Sequence, residues 1–369
     1  IGTVGMNDPL FIGSIADEFY PSLAKHFPVW VEAIKRVRKE RPDKVFYPYI
    51  AGGAKALKPF VEPLAETGCI FAYERYLPEK RTEKEAKEYL EKRLKNEMVE
   101  FNKYAPGFAK QCIYVLGFMC GPRETCNKNP ATDYKVYLDM QFHLLATDPL
   151  FKGLYGVAEY RSTYCDEEYL RWCAKLFRHY CIEGSTERLT SDPYELKHIR
   201  NPDFEQDLAG WTVQAAAPDS IQTKKIKGYG WFQGRYPRSE EGDTFLWMKR
   251  NAGKPNVISQ QIRNLEPGRF YSVKMYSADL KNISKWQIHQ ISLEVEGAEP
   301  VLGEEIEDAF SSVHPVEKFG KAECYFNFRR IVFKATADKA RLIISDEAAP
   351  VGQELTFNFI EVEPYLMTE

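Results

Sequence analysis

The chain has 369 residues, a formal net charge of −3 and a sequence pI near 6.2. This balance argues against a nucleic-acid surface driven by net charge, because such domains are usually strongly basic. No apolar run approaches the roughly 18 residues that a membrane-spanning helix needs. The length predicts two or three domains.

The first half of the chain alternates between apolar, strand-like runs and segments with helical spacing. The predicted strands are Leu10–Phe19, Val45–Ile50, Cys69–Tyr73, Cys112–Met119 and Leu154–Glu159. The predicted helices are Leu23–Lys39, a short segment ending at Glu66, Thr82–Tyr104, Tyr134–Ala146 and Asp166–Ile182. Thr82 and Glu85 fit a capping box, and Asp166 fits a helix N-cap. Five such repeats predict a parallel sheet with helices between its strands.

We interpret residues 1–190 as strands four to eight of a (β/α)8 TIM-type barrel whose N-terminal part is missing before Ile1. Five units are too few to close an eightfold barrel. The alternative is an open, doubly wound sheet. It is disfavoured because no glycine-rich phosphate-binding turn follows any of the predicted strands.

Acidic residues at the ends of three predicted strands are the candidate catalytic groups. These are Glu18, Glu74 and Glu159. Side chains alternate along a strand. Glu18 shares its predicted face with Ser14 and Ala16, so we expect it to point into the barrel, with Glu74 and Glu159 beside it.

Glycoside cleavage needs one carboxyl group to protonate the leaving oxygen and a second to act as base or nucleophile. Glu74 is the predicted acid, and Glu18 is the predicted base or nucleophile. Asp17 falls on the opposite predicted face, towards the helices. The predicted substrate-binding residues, which supply rings and charges at the strand ends, are Asp17, Tyr49, Tyr73, Arg75, Tyr76, Tyr160 and Arg161.

From residue 199 to 369 the pattern changes to short alternating runs separated by turn signals, which favours an antiparallel β-sandwich. The segment Asn201–Glu205, followed by Gly210-Trp211 and by the run Ser259–Asp279, resembles the carbohydrate-binding, galactose-binding-like jelly rolls of bacterial glycan-degrading enzymes. The segment FNFIEVEP near the end of the chain belongs to the same resemblance. The resemblance implies a jelly-roll fold and, less directly, a carbohydrate ligand.

In that family a structural calcium often involves the opening glutamate, here Glu205, and an acid of the last strand. The matching region Phe359–Val362 has one acid, Glu361. The first half loosely resembles the barrels of glycoside hydrolases through its strand-end acids and aromatic neighbours. We expect no organic cofactor and no metal at the catalytic site.

The eight cysteines include no CxxC pair and no structural zinc spacing. Cys120 and Cys126 flank a Gly-Pro turn and could form a disulfide, while Cys165, Cys173 and Cys181 recur on one helical face as buried thiols. Together these features predict a secreted, periplasmic or cell-surface glycoside hydrolase. The alternative is a non-catalytic glycan-binding or cell-surface structural protein.

Overall fold

The computed structural model describes residues 7–160, 164–235, 240–311 and 323–368. Its first part contains a five-stranded parallel sheet in the order β1-β2-β3-β4-β5. The strands are β1 (Gly13–Phe19), β2 (Val45–Ile50), β3 (Phe71–Arg75), β4 (Cys112–Gly117) and β5 (Gly156–Tyr160). All five predicted strands are present, with shorter bounds than the sequence indicates for β1 and β4.

Helices connect these strands. They are α1 (Phe27–Glu40), α2 (Ala54–Ala65), α3 (Glu83–Leu90), α4 (Asn96–Asn102), α5 (Tyr134–Thr147) and α6 (Glu167–Leu176). A π-helical turn joins α3 to α4, and another follows α6. The Thr82 hydroxyl accepts from the Glu85 amide and the Glu85 carboxylate accepts from the Thr82 amide, so the predicted capping box is confirmed. Asp166 caps α6 through the Tyr169 amide, also as predicted.

The order of the sheet bears on the two alternatives for the fold. Strands that are consecutive in sequence are neighbours throughout, as in a (β/α) barrel, whereas a doubly wound sheet reverses direction at a switch point. Among the described residues, β1 and β5 each pair with one strand only. The parallel α/β architecture is therefore confirmed, while closure into a barrel stays a prediction.

The two faces of this sheet differ. The face towards the helices contributes Phe71, Tyr73, Tyr114 and Leu116 to a large apolar core shared with the helices. The opposite face, called the inner face below, carries a small cluster centred on three buried side chains. They are Tyr49, Ala72 and Val115, with Ile113, Ala158 and Tyr160 packed against them. This thin covering leaves room for a site at the carboxyl ends of the strands.

The second part of the chain is an antiparallel β-sandwich, as predicted. One sheet has the strand order β12-β14-β10-β16-β8-β7, with β13 also paired to β14, and the other has the order β11-β15-β9-β6. The strands are β6 (Thr212–Gln214), β7 (Ile221–Lys225), β8 (Thr244–Lys249), β9 (Val257–Ile262), β10 (Phe270–Asp279), β11 (Ser292–Glu296), β12 (Ala298–Pro300), β13 (Ile306–Ser311), β14 (Tyr325–Ala335), β15 (Ala340–Ser345) and β16 (Glu354–Pro364). A one-turn helix, α7 (Tyr229–Phe232), precedes β8.

A buried ring of four alternating charges joins the two parts. Lys135 on α5 lies 2.7 Å from Glu168 and 2.9 Å from Glu363, and Lys274 on β10 lies 2.5 Å from Glu363 and 3.3 Å from Glu168. Each of the four carboxylate oxygens faces one ammonium group, and all four side chains are buried. The sequence did not predict this ring, because its members come from four separate elements.

Beside this ring, Glu361 contacts Asn127, whose amide nitrogen donates to Glu361 Oε1 at 3.0 Å. Neither Glu361 Oε2 nor Asn127 Oδ1 has a hydrogen-bond partner among the described residues. A proton on Glu361 would supply the missing donor for this acid–amide pair. Burial, reinforced by the negative charge of Glu363, raises the pKa of Glu361 well above its usual range, while Lys274, Asn127 and Lys135 act in the opposite direction.

Glu361→Gln is expected to flatten the pH dependence of stability. An acid whose folded-state pKa is raised stabilises fully below its unfolded pKa of about 4.3, and this contribution is lost as the pH rises through the folded pKa. Glutamine keeps a neutral side chain at every pH, so its urea midpoint should fall less between pH 5 and pH 9 than the wild-type midpoint. Parallel curves for the two proteins would show that Glu361 is ionised in the folded state.

Candidate functional site

The candidate site lies at the carboxyl edge of the parallel sheet, on the inner face. β3 contributes Glu74, which lies two residues beyond the inner-face residue Ala72. β2 contributes Tyr49, whose register partner on β3 is Ala72, and β5 contributes Tyr160. The parallel register aligns these strand ends at one edge, which is where α/β folds place their functional residues.

The first strand reaches this edge through an irregular backbone. The pairing of β1 with β2 shifts register between Ala16 and Phe19, and Glu18 has a φ of 68°, in the left-handed region. The Glu18 amide donates to Asp17 Oδ1 at 2.7 Å. Non-glycine residues in this region cost of order 1–3 kcal/mol and cluster at functional sites. The irregularity brings two consecutive exposed acids to the site.

The two faces of β1 are the reverse of those predicted. Ala16, which was expected to share an inward face with Glu18, packs against the core on the helix side. Ile15 pairs with Tyr47 on β2, and Asp17 follows in the same alternation, towards Glu74. The prediction that Asp17 points towards the helices is therefore wrong. Glu18 also lies close enough for its charge to raise the pKa of Glu74, but it reaches the site through the register shift.

The electrostatics of the site centre on Glu74. Burial raises the pKa of this half-buried carboxyl to about 7, and the negative charges of Asp17 and Glu18 reinforce the rise, while the Tyr76 hydroxyl opposes it. The pKa of Tyr20 is raised as well, to about 12. Burial is the largest cause, and the negative charges of Glu74, Glu18 and Asp17 add to it. Glu74 is thus half protonated near neutral pH, beside two exposed acids.

Tyrosine rings form one wall of the site. The rings of Tyr76 and Tyr160 stack with centroids 4.6 Å apart and planes 12° apart. The hydroxyls of Tyr49 and Tyr76 are 2.9 Å apart. Burial raises the pKa of both Tyr49 and Tyr76, so these phenols remain neutral donors and acceptors. Such a wall offers flat apolar faces together with hydroxyl groups.

Three predicted site residues face the helices instead. Glu159 accepts a hydrogen bond from the Cys173 thiol of α6 at 2.7 Å, so the prediction that it shares the inner face with Glu74 is wrong. Tyr73 is fully buried and donates to the Gly52 carbonyl at 3.0 Å. Arg75 is buried 3.7 Å from the Tyr73 ring and does not face the site.

Their positions follow from the alternation of each strand. The inner-face positions of β3 are Ala72 and Glu74, and those of β5 are Ala158 and Tyr160, so odd-numbered neighbours turn to the helix side. Arg161 lies outside the described residues. Tyr20 is the residue that sequence reasoning missed. The feature of the sequence that could have indicated Tyr20 is its position just after the two acids of β1.

The two acids that the jelly-roll resemblance implicates in calcium binding already have side-chain partners. Both oxygens of Glu205 accept from Arg81 at 2.8 Å, and Glu361 is held by Asn127. Within the described ranges, no group of three or more His, Cys, Asp or Glu side chains could hold a metal ion. In the same part of the chain, no helix is both long and apolar enough to cross a membrane.

No protein-family model and no curated protein matches this chain. Among solved structures, it is similar to the enzymatically active domain of tailspike protein 4 of bacteriophage CBA120, with 15% identity over 46% of this chain and a TM-score of 0.29. It spans only 21% of that structure. A putative sugar-binding protein of Bacteroides thetaiotaomicron shares 8% identity over 45% of this chain and 99% of its own, with a TM-score of 0.28.

A third similar structure, TmCBM61 in complex with beta-1,4-galactotriose, shares 10% identity over 45% of this chain and 97% of its own, with a TM-score of 0.25. The structural neighbours thus include carbohydrate-binding modules, and a GH51 α-L-arabinofuranosidase is also among them. At these identities and scores the likenesses are partial.

Proposed function

We propose that this protein is a glycoside hydrolase that acts on an oligo- or polysaccharide, with Glu74 as the general acid. The observation that carries the proposal is the raised pKa of Glu74, about 7, beside two further acids at the carboxyl edge of a parallel sheet. A general acid must hold its proton near the working pH and give it to the leaving oxygen as the bond breaks.

The second carboxylate of the reaction comes from the Asp17-Glu18 pair. Asp17 raises the pKa of Glu74 more than Glu18 does, which supports Asp17 as the nearer partner. In this role Asp17 either attacks the anomeric carbon or removes a proton from the attacking water, and the separation of the two carboxyl groups decides between these outcomes. Its negative charge also favours the positively charged, oxocarbenium-like transition state.

The tyrosines would bind the sugar. The half-buried rings of Tyr76 and Tyr160 suit stacking on the apolar side of a pyranose or furanose ring, and the Tyr20 and Tyr49 hydroxyls suit hydrogen bonds to its hydroxyl groups. In this proposal the sandwich supports or extends glycan binding, and the protein works outside the cytoplasm, as a secreted, periplasmic or cell-surface enzyme.

The test is hydrolysis of a panel of oligosaccharides by the full chain, with new reducing ends as the readout. The proposal predicts turnover of at least one class of glycosidic linkage, fastest below about pH 7, where Glu74 holds its proton. Binding of glycans without any turnover would instead favour a non-catalytic glycan-binding protein. Neither binding nor turnover would favour a structural role.

A further inference from the structure

The cysteines at the carboxyl edge of the sheet are placed differently from the sequence prediction. All eight are free thiols in the structure. Cys120, which the sequence paired with Cys126, lies in the loop after β4, against the segment that follows β5. The Cys120 amide donates to the Tyr164 carbonyl at 3.3 Å, so its backbone runs directly beside the residue that precedes Cys165.

Gly121, the next residue, shows how closely these two segments approach each other. A Cβ atom at Gly121 would lie 2.5 Å from the Tyr164 carbonyl oxygen and 3.7 Å from Cys165 Cα. Only glycine fits such a close approach of two backbones. Disulfides join residues whose Cα atoms are about 4.4–6.8 Å apart, so they need two backbones that approach each other closely, as these two segments do.

The two thiols also contact each other. The Cys165 thiol is hydrogen-bonded to the carbonyl of Phe118, two residues before Cys120. Burial raises the pKa of Cys120 well above its usual range, and a hydrogen bond with the Cys165 thiol adds to the rise. Cys120 is buried, whereas Cys165 is half-buried.

We propose that Cys120 and Cys165 form a regulatory or structural disulfide that ties the loop after β4 to the segment after β5. The oxidant is a small-molecule disulfide such as oxidised glutathione. Cys165, the less buried of the two, attacks it as a thiolate, forms a mixed disulfide and releases one glutathione thiol. Cys120 then loses its proton and attacks the Cys165 sulfur, which forms the protein disulfide and releases the second glutathione thiol.

This disulfide would restrain the end of β5, which carries Tyr160 of the candidate site. Tyr160 pairs with Gly117 at the end of β4, and the Phe118 amide donates to the Tyr160 carbonyl at 3.1 Å. The cross-link therefore anchors the segment that carries the stacked Tyr160 ring. The inference does not depend on the proposed hydrolase activity, because it concerns the thiols alone.

The experiment is peptide mapping of the full chain after incubation with oxidised glutathione and alkylation of the remaining thiols. Trypsin separates three relevant peptides, Gln111–Arg123 with Cys120, Glu124–Lys128 with Cys126 and Ser162–Arg171 with Cys165. We expect a cross-link between the first and third peptides, assigned by fragmentation to Cys120 rather than to Cys112. The oxidised protein should also melt several degrees higher than the reduced protein, because the cross-link lowers the entropy of the unfolded chain.

Two single-cysteine variants distinguish which thiol pairs with Cys165. Cys126→Ser should keep the cross-link, whereas Cys120→Ser should leave Cys165 carrying glutathione and abolish the rise in melting temperature. A cross-link between Cys120 and Cys126 in the wild type would overturn the proposal. So would a wild-type protein in which Cys165 carries glutathione and no cross-link follows, since the two thiols would then be too far apart to react.

Discussion

Replacing Lys274 by methionine is expected to lower the free energy of unfolding by about 3–5 kcal/mol, the range measured when one partner of a buried ion pair is removed. Lys274 lies 2.5 Å from Glu363 and 3.3 Å from Glu168, and the variant would leave both carboxylates with Lys135 as their one remaining ammonium partner in the ring. The loss comes from the desolvation of charges that water cannot reach in the folded protein. Urea unfolding followed by tryptophan fluorescence measures it.

The control is Lys84→Met on α3. Lys84 is exposed and pairs with Glu88 at 4.0 Å, one helical turn away. Such surface pairs contribute little, so the unfolding midpoint should be unchanged within error. If Lys274→Met were as stable as Lys84→Met, the ring would be open to solvent, and the two parts of the chain would be held together by other contacts.

Glu74→Gln is expected to reduce turnover by about 10²–10⁴-fold, the usual contribution of a general acid, while glycan binding remains. Glutamine matches the shape of glutamate but has no proton of the required acidity to give to the leaving oxygen. Initial rates of reducing-end formation and a separate binding measurement on the same oligosaccharide distinguish the two effects.

Glu159→Gln is the matched control for this variant. Glu159 lies near the carboxyl end of β5, two strands away from β3, and was predicted from the sequence to be catalytic, but it contacts Cys173 on the helix side of the sheet. Its replacement should leave kcat within about twofold of the wild type. A large loss of turnover in Glu159→Gln together with full activity in Glu74→Gln would contradict the assignment of the acid.

Much of the fold follows from sequence pattern. The apolar runs of β2 and β3, the capping box at Thr82 and the N-cap at Asp166 are local signals, and each is found where the sequence indicates. Alternating runs likewise predict the antiparallel sandwich of the second part. Strands as short as β6 and β12 give no such signal, because three residues carry too little periodicity to be recognised.

The site was predicted in part, and the errors have two physical origins. Alternation assigns a face only while a strand stays regular, and β1 shifts register at the point where its acids begin. A residue with positive φ that is not glycine gives no signal in the sequence. The other errors, at Asp17 and Glu159, lie where the strands are regular, because alternation alone does not decide which of the two faces turns inward.

Contacts between residues far apart in the sequence could not be predicted at all. Cys120 contacts Cys165 where the loops that follow two neighbouring strands pass each other at Gly121. Lys135, Glu168, Lys274 and Glu363 are ordinary surface-type residues in the sequence, and their burial is created by the packing of a helix layer on a sheet. A pattern of local spacing contains no information on such pairs.

Titration of the Glu74 side chain tests the central claim most directly. Carboxyl carbon chemical shifts, measured by NMR on protein labelled at glutamate and assigned with Glu74→Gln, report its protonation without any substrate. We expect an apparent pKa of about 7, with the proton held below that pH and lost above it, and a lower value in Asp17→Asn, where one repelling charge is removed. An apparent pKa near 4.3, the ordinary value for glutamate, or one that is unchanged in Asp17→Asn, would contradict it.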